Sequence, residues 1–280
     1  MSNMREIMKK VSQNKILGIV VFMIFWLGIE TSGYAHGAEE HEHGLHFSHP
    51  INAESPTPDT KIRIDHFYRK IKNENDTAKE NTIRLETEYA FEKAFSIELD
   101  VPLTIRTPGG SATLTHTDVI SVALKFANFA FEESNLLLGY GIEFGLPTGS
   151  ENKGIGSDHL VELAPFLNIG YQTGALELVS FAVFGIPINQ DSTDEVETEM
   201  EFNGSALYHV SDRFSLLAEY NGSTVTSGPE RGTTVLNLNP GIKFRPTSNQ
   251  RLKVGAGMSF PITTIDEFAY QTTVSAFYHF

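Results

Sequence analysis

The chain has 280 residues, 40% of them hydrophobic, with 23 Gly, 12 Pro and no Cys, which excludes a disulfide scaffold, a thiolate metal site, a thiol nucleophile and an N-terminal lipidated Cys. Lys and Arg total 21 against 35 Asp and Glu, and the formal charge of −14 argues against a protein that grips nucleic-acid backbone by releasing counterions.

The first predicted element is a secretory signal over residues 1–35. Arg5, Lys9, Lys10 and Lys15 precede an unbroken apolar run of 14 residues from Ile16 to Ile29. A spanning helix needs about 20 apolar residues, and the small residues that end at Ala35 supply a cleavage site. Residues 36–59 follow, rich in His, Pro and Glu and without helical or strand period, and read as an N-terminal extension on the periplasmic side.

From residue 60 to the end, apolar and polar residues alternate. Ile83, Leu85, Thr87, Tyr89 and Phe91 interleave with Arg84, Glu86, Glu88 and Ala90, the mark of a strand with one apolar face. About twelve such segments begin near residues 60, 81, 94, 116, 134, 158, 174, 197, 212, 232, 250 and 268. Links after odd strands are mostly long (Ile71 to Glu80, Asn189 to Val196), and those after even strands are tight (Phe91 to Ala94, His209 to Asp212). An even strand count with alternating loop lengths predicts an all-β fold, a transmembrane antiparallel β-barrel over residues 60–280 in a Gram-negative outer membrane. Phe268, Tyr270, Val274, Tyr278 and Phe280 are expected on one lipid-facing side of the last strand. Pro102, Pro147, Pro187 and Pro261 are expected at bulges or strand ends near the outer rim.

Several short runs resemble a known family. Gly141-Ile142-Glu143-Phe144-Gly145-Leu146-Pro147-Thr148-Gly149, Val161-Glu162-Leu163-Ala164-Pro165, Ser211-Asp212-Arg213-Phe214 and the final Tyr278-His279-Phe280 are similar to small outer-membrane barrels of the meta-pathway phenol-degradation porin-like family. The resemblance implies a passive or facilitated channel for small solutes and no catalytic residues. The terminal Phe280 resembles the signal read by the barrel-assembly machinery.

Charged residues on the polar strand faces are the candidate lumen: Arg63, Arg84, Glu86, Glu98, Asp100, Arg106, Lys125, Glu143, Glu162, Glu219 and Lys243. Opposite charges in similar number permit cross-strand pairing. A further acidic run, Asp191, Asp194, Glu195, Glu197, Glu199 and Glu201, has no base within it and marks a mouth that attracts cations or shares divalent ions with lipopolysaccharide phosphates. His41, His43, His46 and His49 crowd the extension; imidazoles with nearby carboxylates suit loosely held Zn, Ni or Cu, so a metal-handling barrel is the alternative to a solute channel. A barrel without conductance is the third reading. His209-Val210-Ser211 with Asn221 superficially resembles a lipid hydrolase, but it lies at the wrong end and lacks a visible orienting carboxylate, so no enzyme is expected. The expected partners are outer-membrane lipid, lipopolysaccharide, small solutes and the assembly machinery.

Overall fold

The computed structural model describes residues 45–73, 76–108, 113–189, 197–247, 251–263 and 268–280; the signal segment, His41, His43, Asp191, Asp194 and Glu195 lie outside them. Among the described residues thirteen strands follow in order: β1 Lys61–Asn73, β2 Asp76–Glu92, β3 Phe95–Thr107, β4 Leu114–Thr117, β5 Ile120–Phe131, β6 Leu136–Leu146, β7 Glu162–Thr173, β8 Leu176–Pro187, β9 Glu199–Ser211, β10 Phe214–Val225, β11 Thr234–Phe244, β12 Leu252–Pro261 and β13 Phe268–His279. Twelve of them, all but β4, pair antiparallel with both neighbours. The ring closes where Lys61 of β1 stands opposite His279 of β13 on one side and Glu88 of β2 on the other. The fold is therefore a closed twelve-stranded antiparallel barrel.

Alternation explains the closure. Odd residues of β10, such as Leu217 and Glu219, are buried inside, while Leu216 and Tyr220 are exposed outside. Ile64, Ile83, Leu167, Leu238, Ile242 and Val274 are likewise more than one-third exposed, and an apolar surface this continuous needs lipid over it. At the end with the tight turns, outward rings run from strand to strand: Phe91 to Phe95 at 5.4 Å, Phe95 to Phe126 at 4.8 Å and Phe126 to Tyr140 at 5.5 Å. Such a belt fits an interface where an aromatic body meets lipid and its edge meets water.

Four local expectations need correction. The segment expected from residue 116 is two strands, because β3 pairs with β5 only up to Asp100 and with β4 from Leu103 onward. Pro102 stands at that change of partner, inside β3 rather than at its end, and its carbonyl accepts the Asp118 N–H at 3.0 Å. The first link is not a long loop: the β1–β2 ladder continues to the pair Asn73 and Asp76. Phe268 does not share the outward face of β13. An irregularity in the register against β1, between Lys70 and Ile71, turns it inward, where it is 3% exposed.

The core sits within the barrel and is built on residues 45–59. Leu45 and Phe47 pack with Ala127, Leu137 and Val179, and Ile51 with Leu207 and Leu217. Over residues 45–59 the segment read from the sequence as a periplasmic-side extension packs inside the barrel at the turn end.

Candidate functional site

The lumen has two parts. Its turn-end half holds residues 45–59, which form no helix or strand, so their backbone and polar groups need partners from the wall. Glu219 of β10 accepts hydrogen bonds from the Ile51 N–H at 2.9 Å and the Asn52 side-chain amide at 2.7 Å. Glu177 of β8 accepts the Ser48 N–H at 2.7 Å. Lys243 of β11 donates to the His49 carbonyl, Arg63 of β1 to the Ile51 carbonyl, and Asn168 of β7 to the Ser55 carbonyl. Missing side chains in the wall make the room. A Cβ on Gly170 would lie 2.8 Å from the Phe47 ring, and Cβ atoms on Gly241 and Gly255 would lie 3.2 and 3.1 Å from the Ile51 side chain.

One side of this half is a dense ionic cluster. Lys61 places its ammonium 2.8 Å from Glu86, 2.5 Å from Glu88 and 3.7 Å from Glu98. Lys125 reaches Glu54 at 2.5 Å, Glu88 at 3.1 Å and Glu98 at 3.5 Å. Next to it, Asp65 accepts from both Arg63 at 2.9 Å and Arg84 at 2.7 Å, and Arg84 lies 3.6 Å from Asp100. Each buried charge here is offset by several partners, without which its desolvation would be prohibitive. Phe277, fully buried, lies under both Arg63 at 4.6 Å and Lys243 at 4.4 Å, so cation–π attraction adds to the carboxylate partners of Arg63 and gives Lys243 a favourable buried neighbour.

Of the His residues singled out in the extension, two are described. His49, 1% exposed, points Nε2 at Asp59 Oδ2 from 3.4 Å, and His46 lies 3.8 Å from the same oxygen. His279, from the last strand, donates from Nδ1 to that oxygen at 2.6 Å. Burial, reinforced by the charge of Lys61, pushes the His49 imidazole well below its ordinary value. Burial pushes the Asp59 carboxyl up, but the hydrogen bond from His279 and the adjacent imidazoles of His46 and His49 outweigh it and hold the group far below the usual carboxylate range. His49, Glu54 and Glu88 have ligand atoms within 4.8 Å of one another, but Lys125 and Lys61 already occupy the two carboxylates. The two carboxylates of the set are thus held by ammonium groups, which a metal would have to displace.

The loop-end half is more open. Arg106 donates to Glu80 at 2.8 and 2.6 Å and to the Gly154 carbonyl, which fastens the β6–β7 loop to the wall. Glu143, Glu162, Glu199 and Glu201 are near enough to repel one another. Glu197, placed at the mouth by its sequence position, accepts the Glu230 N–H at 2.7 Å and so braces the β10–β11 loop. Glu199 and Glu201 instead line a polar cavity of about 260 Å³ between β9 and β1.

His209 has partners other than those its sequence neighbours offered. Its Nδ1 lies 2.9 Å from Ser215 Oγ and its Nε2 2.7 Å from Glu177 Oε1. A serine, imidazole and carboxylate in contact resemble a hydrolytic triad. The adjoining space is only about 10 Å³, and Glu177 is engaged by Ser48, so the arrangement holds the inner segment in place.

Sequence reasoning missed Glu177, Glu54, Asp59 and Phe277. Strict alternation on β8 already places Glu177 on the inner face between Leu176 and Leu178, a signal that could have found it. No periodic signal marks Glu54 or Asp59, because their segment has no period.

No protein-family model matches the sequence, and no curated protein matches it. Solved structures match the fold. The COG4313 outer membrane channel from Pseudomonas putida F1 is similar with a TM-score of 0.62 at 11% identity, over 84% of this chain and 100% of that one. The NanC porin is similar with a TM-score of 0.53 at 8% identity, over 78% of this chain and 98% of that one. At such identities the likeness is one of fold: a closed outer-membrane barrel.

Proposed function

We propose that the chain is an outer-membrane channel for small solutes, narrowed at its turn end by residues 45–59. The observation that supports this best is the polar cavity of about 260 Å³ on the loop-end side of a lumen lined by charged and amide side chains. A barrel built only as a membrane anchor has no need of such a wall. In this reading the turn end is periplasmic, the loop end is extracellular, residues 1–35 are removed on export, and Phe280 presents the strand end to the assembly machinery. The fold that the chain shares with a known channel and a known porin supports the same reading.

Planar-bilayer recording on the mature protein tests it. Discrete conductance steps are expected, small because of the inner segment. Absence of current both from the mature protein and from a variant lacking residues 45–58 overturns it.

A further inference from the structure

The solute class can be read from the cavity wall, given the channel reading above. Register places Asn203 of β9 opposite Asn221 of β10, and Asn221 opposite Asn237 of β11, so three amides stand side by side across three strands. All three line the cavity. Asn239 donates to Asn221 Oδ1 at 2.6 Å, whereas Asn237, 5% exposed, keeps a buried Oδ1 with no hydrogen-bond partner. A buried unpaired carbonyl on a cavity wall is costly unless something donates to it.

The charges on the same wall are unequal. Glu199 and Glu201 make no ion pair among the described residues, and the charged groups that act on Glu201 are Glu199, Glu143 and Glu162, all carboxylates. Arg69, the one cation among the described residues that line the wall, is engaged elsewhere: its Nε donates to Gln271 at 3.0 Å and its guanidinium lies 5.0 Å from the Phe268 ring and 3.9 Å from Glu80. The cavity therefore offers acceptors and negative potential, with amide hydrogens as its secondary donors. A matching solute brings donors, a positive charge and hydroxyls.

We propose that the cavity is a binding subsite for hydroxylated organic amines, the class of an amino sugar, and that it rejects acid sugars. An ammonium faces Glu199 and Glu201 while hydroxyls donate to the amide row. Repulsion by the carboxylates turns away an anion of the same size.

Calorimetry on the full mature chain in detergent, with glucosamine, glucose and gluconate as probes, tests this. Glucosamine is expected to bind about tenfold more tightly than glucose, as one partly screened charge contact provides, and gluconate not at all. Glu201→Gln should remove most of the preference for glucosamine over glucose. Asn237→Leu should weaken both. Heat-modifiable migration of each variant confirms that the barrel is intact. Equal binding of glucosamine and gluconate, or no binding of any probe, overturns the subsite. Conductance is scored separately: current without glucosamine preference sinks this inference and leaves the channel, whereas glucosamine binding without current keeps the subsite and sinks the channel.

Discussion

The two halves of the lumen are walled by the same twelve strands, yet they solve the problem of buried polarity in opposite ways. In the turn-end half the wall's charges are matched one to another and to the inner segment: Lys61 and Lys125 share Glu54, Glu88 and Glu98 between them. In the loop-end half, Asn237 Oδ1 keeps no hydrogen-bond partner, and Glu201 on the cavity wall makes no ion pair among the described residues. The difference teaches that a barrel wall alone does not decide whether its interior is a core or a passage. What decides it is whether other chain atoms fill the polar valences.

Deleting residues 45–58 is the largest test of this contrast. Conductance is expected to rise several-fold, since the deletion removes Phe47, Ile51 and the groups that Glu177, Glu219 and Lys243 hold. An unchanged single-channel current would show that the narrow point lies elsewhere.

Substituting a charge in each half sharpens the comparison. Lys61→Met leaves Glu86 and Glu88 buried without their nearest ammonium, and breaking such a pair costs about 3–5 kcal/mol. Arg69→Met, at a side chain 35% exposed, should cost under about 1 kcal/mol. Denaturant midpoints of the heat-modifiable band measure both, and equal losses would erase the distinction between the halves.

Acidification acts on the seating of the inner segment. His49 is held neutral by burial, so its value in the seated state lies below that of the free side chain. A lowered imidazole value means that the released state binds the proton more readily. Seating is therefore at full strength above about pH 6.5 and weakens as pH falls below it, toward the depressed value. Asp59 stays ionised throughout this window, because its own value lies far lower. Protease cleavage within residues 45–58 should accelerate between about pH 7.5 and 5.5, and His49→Gln should flatten the profile. A pH-independent rate in the parent protein would contradict the role given to His49.

The smallest effect is expected at the mouth. Glu199→Gln with Glu201→Gln should reduce cation preference, read as reversal potential in a KCl gradient, by a factor of about two in the permeability ratio. Glu197→Gln should change it less, because that carboxylate is turned to the Glu230 N–H. An anion-selective parent channel would overturn the acidic-mouth argument altogether.

The barrel was legible in the sequence because a strand with lipid on one side and a polar lumen on the other must alternate with period two, and that period survives in the chain from Lys61 to His279. Strand number, closure and the inward set that includes Arg63, Glu86, Lys125, Glu219 and Lys243 follow from it. The inner segment was not legible. Residues 45–59 have no period, and their partners Glu177, Glu219 and Lys243 are more than a hundred residues away in sequence. Likewise the partners of Asp59, from His46 to His279, meet only once the last strand pairs with the first. Local periodicity dictates which way each strand faces, but which groups meet inside a closed cylinder depends on its circumference, its register and the chain that enters it, and only the tertiary structure decides those.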